Sequence, residues 1–273
     1  MRDDTPFPSD QLFLIAGPCQ AEDGALNLRI AEVLARVAER VPGGVIYKAS
    51  FDKANRSNAG ATRGLGLERG LEALAEVRRE TGLPVLTDVH LPEQCAVAAE
   101  VCDVLQIPAF LCRQTDLLEA AGRTGKPVNI KKGQWLQPEG MRGAAAKVRR
   151  ASPAGAEATL AVTERGTFFG YGDLVVDMRN FARMREAVGA PVIYDATHSV
   201  QQPGRSDGGS SGGLREFIPP LMFAALAAGA QGLFIETHPD PDHAPSDGPN
   251  MVPLQEFPTL IERAVDLWAL VRR

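Results

Sequence analysis

The stretch Gly44-Val45-Ile46-Tyr47-Lys48-Ala49-Ser50-Phe51-Asp52-Lys53-Ala54-Asn55-Arg56-Ser57-Asn58-Ala59-Gly60-Ala61-Thr62-Arg63-Gly64 decides how this chain is read. Its first four residues are a short apolar run, and an amphipathic pattern begins just beyond it, near Leu67. The stretch is therefore a strand end running through a loop into a helix. From Lys48 to Gly64 it places two lysines and two arginines in 17 positions of a chain whose net charge is −5. Composition alone fits a solvated basic loop as well as a ligand loop, because surface loops are commonly charged. The neighbouring segments break the tie.

The same strand–loop–helix unit recurs along the chain. Leu12 to Ala16 precedes a helical pattern from about Ala25 to Arg40, and Val45 to Tyr47 precedes one from Leu67 to Thr81. Pro84 to Thr87 leads to Glu93–Val101, Val104 to Ile107 to Gln114–Arg123, and Pro127 to Ile130 to Met141–Ala151. Thr159 to Val162 leads to Phe181–Val188, Pro191 to Tyr194 to a helix within Leu214–Ala228, and Gly232 to Ile235 to Leu254–Arg272. Eight such units predict a (β/α)8 TIM-type barrel, a single domain over residues 1–273. Between Gln201 and Gly213 lie five glycines and three serines, a length and composition that suit a lid.

Composition removes several classes of function. The longest apolar stretches, such as Leu221 to Ala228, fall well short of the roughly 20 residues a membrane span needs. An acidic chain with no basic block and no interleaving of aromatic with basic residues is a poor partner for nucleic acid or an anionic membrane. The polar N-terminus predicts no export signal, and four cysteines without a Cys-x-x-Cys pair predict reduced thiols in the cytoplasm. Cys95, Cys102 and Cys112 sit among apolar neighbours as core fillers. There is no Gly-x-Gly-x-x-Gly or Walker pattern.

In barrels of this type the active site lies at the C-terminal ends of the strands. Reading outward from each strand gives Cys19, Lys48, Asp88, Gln106, Lys131, Arg165, His198 and Glu236, all polar or ionisable. Three cations among them suit an anionic substrate. Lys48, Lys53, Lys131 and Arg165 would cradle phosphate and carboxylate, and such groups can stabilise charge on a departing phosphate. Strand alternation sends one of Lys131 and Lys132 inward, without saying which. Cys19, His198 and Glu236 follow strands that become neighbours on closure, and Asp247 can fold back to them. One thiolate, one imidazole and two carboxylates would take Zn²⁺, Fe²⁺, Mn²⁺ or Co²⁺. Taken one at a time, these residues are a buried Cys, a satisfied His and two surface carboxylates; only convergence makes a site. His238 and His243 read as loop histidines.

Several runs resemble 3-deoxy-D-manno-octulosonate 8-phosphate synthases. They are Ser50-Phe51-Asp52-Lys53-Ala54-Asn55-Arg56-Ser57, then Asp103 to Gln114 (DVLQIPAFLCRQ), His198-Ser199-Val200-Gln201, Glu236 to Pro241 (ETHPDP), and Ser246-Asp247-Gly248-Pro249. The resemblance spans about Leu12 to Leu254 and implies a barrel that condenses phosphoenolpyruvate with D-arabinose 5-phosphate, for lipopolysaccharide synthesis. It implies that Lys48, Lys53, Gln106, Lys131 and Arg165 bind phosphoenolpyruvate and that Asn55, Arg56 and Ser57 hold arabinose 5-phosphate. Arg113 would reach a neighbouring subunit in a homotetramer. The reactive groups would be Lys131, His198 and Asp88. Ala16-Gly17-Pro18-Cys19 is similar to the metal-dependent branch, with one divalent ion per subunit held by Cys19, His198, Glu236 and Asp247. Asn58 and Pro245 depart from the family pattern, as does the composition of the glycine-rich segment. The nearest alternative, 3-deoxy-D-arabino-heptulosonate 7-phosphate synthase, uses erythrose 4-phosphate and usually carries Lys-Pro-Arg-Thr/Ser where Lys53 to Ser57 stand here.

Overall fold

The computed structural model describes residues 5–54, 63–202 and 212–272. Strand β1 (Phe13–Gly17) leads into α1 (Gly24–Ala38), β2 (Val45–Lys48) into α2 (Leu67–Thr81), and β3 (Val85–Asp88) into α3 (Pro92–Val101). Strand β4 (Val104–Ile107) leads into α4 (Thr115–Arg123), and β5 (Val128–Lys131) into α5 (Met141–Ala151). After β6 (Leu160–Glu164) comes a hairpin, β7 (Thr167–Gly170) and β8 (Asp173–Val175), and then α6 (Asn180–Val188). Strand β9 (Val192–Asp195) is followed by the short pair β10 (Gln201–Gln202) and β11 (Gly212–Gly213) and by α7 (Ile218–Ala227). Strand β12 (Gly232–His238), β13 (Val252–Pro253) and α8 (Phe257–Val271) complete the order.

Strands β1 to β6, β9 and β12 pair side by side in that order, and β12 pairs back on β1. The result is a closed, eight-stranded parallel barrel with, among the described residues, eight α-helices around it. The barrel strands are buried along their whole length, which is why they read as continuous apolar runs rather than as alternating ones. The helices carry one apolar face each. In α2 that face is Gly70, Leu71, Leu74 and Val77, and the helix stops at Gly82, whose φ of 71° a glycine adopts without penalty. Alternation along the strands separates two cores. Leu12, Leu14 and Tyr47 face the helices, whereas Phe13, Ile15, Ile46, Leu86, Val104, Ala161, Ile193 and Phe234 fill the barrel itself.

Three features differ from the sequence reading. The β7–β8 hairpin interrupts the sixth unit, between Val162 and Phe181. Its strands are short and largely half-exposed, and Gly166, Gly170 and Gly172 break the pattern that periodicity would detect. Strand β12 continues to His238 because β13 pairs with it in parallel, so His238 is a buried strand residue and not a loop histidine. His243, by contrast, is exposed beside Asp240. The ends of the glycine-rich segment pair as β10 and β11, and its residues 203–211 lie outside the described residues. No helix among the described residues is long and apolar enough to cross a membrane.

Candidate active site

The strand alternation that fills the barrel also sends polar side chains inward at its C-terminal mouth. Lys48, Asp88 and Lys131 are the last residues of β2, β3 and β5, Gln106 is the third of β4, and Arg165 follows β6 directly. All five are buried, as are Asp195 and Glu236. Gly17 matters to this packing: a side chain there would run into the backbone of Lys48. Buried charge is tolerable only when paired, and the pairs are present. The Lys48 ammonium donates to Glu236 Oε1 at 2.6 Å and to the Cys19 carbonyl at 2.7 Å. Lys131 donates to Asp195 Oδ2 at 2.8 Å and stands 3.4 Å over the Phe234 ring.

The two adjacent lysines resolve cleanly. Lys131 points into the barrel. Lys132 points away from it, 3.5 Å from Glu164 with no exposure, and donates to Gly133 O at 3.2 Å and Leu136 O at 3.3 Å. Burial pulls the Lys131 ammonium below its ordinary range, against the opposing effect of Asp195. Arg165 donates from Nη2 to Gln201 Oε1 at 2.7 Å, while its buried Nη1 has no hydrogen-bond partner among the described residues. An orphaned guanidinium nitrogen at a cavity mouth is a donor held ready for an anion. Lys53, half-buried, donates to Ser50 Oγ at 3.1 Å. Burial works to lower its pKa, and Cys19, Glu236 and Asp88 outweigh that and raise it.

Asp88 accepts short hydrogen bonds from Ser50 and Gln106. The Gln106 carbonyl accepts from Asn129 at 2.8 Å, and the Asn129 carbonyl accepts from Thr163 at 2.7 Å. This side-chain ladder crosses β3, β4, β5 and β6 and fixes the amide orientation of Gln106. The Asp88 carboxyl lies well below the usual carboxylate range; burial opposes this, and Lys48, Lys53 and Lys131 together outweigh it.

On the opposite wall, Cys19, Glu236 and Asp247 offer ligand atoms that all lie within 4.8 Å of one another. Cys19 Sγ donates to Asp247 Oδ2 at 3.2 Å, and Gln201 Nε2 donates to Asp247 Oδ1 at 2.9 Å. His198 stands outside this group of three. Its Nδ1 contacts both oxygens of Asp195, at 3.0 and 2.9 Å, and its Nε2 is 3.8 Å from Glu236 Oε1. The donor set suits a divalent cation: one thiol, two carboxylates and an imidazole edge, mixed in softness. Glu236 Oε2 fits the same reading, being buried with no hydrogen-bond partner among the described residues. Burial, reinforced by Glu236, pushes the Cys19 thiol far above its ordinary range, so loading a cation here would release a proton.

Not every predicted residue is gathered here. Asn55, Arg56 and Ser57 lie outside the described residues, though the base of their loop is tied. Lys53 N–H donates to Arg63 O at 2.7 Å, and the Arg63 guanidinium forks onto Asp52. Arg113 is exposed, just before α4. Cys95, Cys102 and Cys112 are buried in the outer core. Sequence reasoning missed Asp195, Ser50, Gln201 and Asn129. Asp195 is the last residue of β9, and the strand-end rule would have found it had the reading stopped before His198.

A closed parallel barrel whose mouth gathers buried lysines, an arginine with a donor unpaired among the described residues, and a thiol–carboxylate trio defines a (β/α)8 protein with a densely charged site at its strand ends. More narrowly, the chain belongs to the DAHP synthetase I family, whose pattern matches residues 8–271. It is 58% identical over 262 residues to a 2-dehydro-3-deoxyphosphooctonate aldolase of Rhodopseudomonas palustris strain TIE-1, covering 96% of this chain and 90% of that protein. A protein of the same name from Bradyrhizobium sp. strain BTAi1 is 59% identical, over 92% of this chain and 86% of the relative. Another from Nitrobacter winogradskyi is 56% identical, over 96% and 89%.

Proposed function

We infer that this chain is a transferase that condenses phosphoenolpyruvate with D-arabinose 5-phosphate and water, giving 3-deoxy-D-manno-octulosonate 8-phosphate and inorganic phosphate for lipopolysaccharide synthesis. The observation that carries the reading is that buried Lys131 and Arg165, at the C-terminal ends of β5 and β6, share one barrel mouth with the Cys19–Glu236–Asp247 trio, Arg165 being joined to Asp247 through Gln201. C3 of phosphoenolpyruvate bonds to the aldehyde carbon, water adds at C2, and the C–O bond to phosphate breaks.

Lys48, Lys53, Lys131 and Arg165 bind the phosphate and carboxylate, and the Arg165 Nη1 donor has no competing partner among the described residues. Placing these charges over an apolar floor strengthens them as phosphate departs. A lysine whose pKa burial holds down gives up a proton more readily than a surface lysine, which fits Lys131 to protonate the oxygen formed from the aldehyde. Asp88, held ionised, orients Ser50 and Gln106 around the substrate. Asn55, Arg56 and Ser57 anchor the sugar phosphate. Cys19, His198, Glu236 and Asp247 would hold one divalent cation, which when bound supplies a Lewis acid for an aldehyde oxygen or water. The protein works in the cytoplasm as one domain per subunit in a homotetramer, with Arg113 at a neighbour's site.

The family's name favours a second reading, the heptulosonate synthase that uses erythrose 4-phosphate. Asn55 within Lys53 to Ser57, and the names of the relatives at 56–59% identity, argue for the five-carbon sugar. Phosphate release measured with each aldehyde, before and after chelation, separates the readings. Arabinose 5-phosphate is expected to support turnover, chelation to abolish it, and Zn²⁺ or Mn²⁺ to restore part of it. Preference for erythrose 4-phosphate would reject the substrate, and full activity in a verified metal-free preparation would reject the cation.

A further inference from the structure

One carboxylate touches both halves of the site. Asp195 ends β9, has no exposed surface, and sits between a lysine and a histidine assigned to different tasks. Its Oδ2 accepts from Lys131 Nζ at 2.8 Å. Its Oδ1 accepts from the His198 backbone N–H at 2.9 Å, and both oxygens lie within 3.0 Å of His198 Nδ1. Phe234, its partner on β12, lies beneath both side chains: its ring centroid is 3.4 Å from Lys131 Nζ and 5.6 Å from the His198 ring. Lys131 and His198 are thus held between the same carboxylate and the same aromatic face.

Stability does not account for this arrangement. A buried ion pair rarely outdoes a well-packed apolar pair of the same volume. Orientation does account for it. An ionised carboxylate only accepts hydrogen bonds, so a neutral His198 must present Nδ1–H to Asp195. The lone pair then sits on Nε2, the nitrogen that faces Glu236 across 3.8 Å.

We propose that Asp195 is a positioning residue that fixes Lys131 and His198 as one hydrogen-bonded unit, so that a single carboxylate sets both the phosphoenolpyruvate lysine and the imidazole edge of the cation group. Asp195→Asn keeps the shape but offers an amide that can donate to Nδ1. The ring is then free to carry its proton on Nε2, where it blocks coordination, and Lys131 loses its counter-charge. This inference rests on the cation and phosphoenolpyruvate assignments above.

The test uses purified full-length protein stripped of metal. Co²⁺ affinity is read from the thiolate-to-cobalt absorption band, and phosphoenolpyruvate affinity by calorimetry without added metal. Asp195→Asn is expected to weaken Co²⁺ about tenfold to a hundredfold and phosphoenolpyruvate about tenfold. The cobalt loss should vanish in a His198→Gln background and the phosphoenolpyruvate loss in a Lys131→Met background, which a merely structural defect would not do. Retention of both affinities within about threefold, or losses that persist in both backgrounds, would overturn the proposal. Should Asp195→Asn fail a thermal melt, Asp195→Ser carries the same two expectations. Absence of the thiolate band in the wild type would sink the cation assignment and the histidine half with it. The lysine half is then decided by the Lys131→Met comparison.

Discussion

Two layers of the barrel interior, one residue pair apart, behave as opposites. On β2, Ile46 is followed by Lys48; on β3, Leu86 by Asp88; on β4, Val104 by Gln106. On β9, Ile193 is followed by Asp195, and on β12, Phe234 by Glu236. Each pair points to the same interior, because side chains on a strand repeat every second residue. On these five strands a rise of about 6.6 Å therefore separates an apolar floor from a mouth crowded with polar and charged groups. The floor excludes water and lowers the effective dielectric under the mouth, so each ion pair there acts more strongly than it would at a surface. The lesson is that stability and chemistry are stacked on the same strands. Changes to the floor should read out in unfolding, and changes to the mouth in turnover.

The strongest attempt to break that division is Phe13→Ala, which removes a large floor side chain. It should cost about 3–5 kcal/mol in denaturant unfolding while the KM for each substrate stays unchanged; a comparable rise in KM would end the distinction. At the mouth, Lys131→Ala should lower kcat about 10²- to 10³-fold, whatever metal is supplied. Cys19→Asn should lose tight metal binding yet keep more of its rate, and equal residual rates in the two variants would contradict the roles given them. Arg56→Ala should raise the KM for arabinose 5-phosphate about tenfold to a hundredfold, with a smaller effect on phosphoenolpyruvate. Steady-state kinetics varying each substrate in turn checks this.

The smallest effect is a pH dependence. Asp88 has a lower pKa in the fold than in the unfolded chain. Its contribution to stability is therefore complete above the unfolded value of about 3.9 and is lost as pH falls toward the folded one. That loss approaches about 1.4 kcal/mol per pH unit. Unfolding curves of wild type and Asp88→Asn below that value should differ by this slope, and parallel curves would show that Asp88 is not held ionised.

Much of this was legible in the chain itself. Runs of Val, Ile and Leu four or five residues long, each followed by a helical period, define eight units, and the strand-end rule picks out Lys48, Asp88, Lys131, Arg165 and Glu236 without coordinates. The loop from Asn55 to Ser57 is carried by sequence alone. Other features needed the closed barrel. A period of two says that Lys131 and Lys132 face opposite ways, but only closure and curvature say which way is in. The gathering of Cys19, Glu236 and Asp247 depends on β12 pairing with β1, a contact between residues more than 200 positions apart. The shared role of Asp195 was invisible for the same reason. A carboxylate three residues before a histidine is an ordinary pattern, and its lysine partner lies two barrel strands away, where only the tertiary fold brings it within hydrogen-bonding distance.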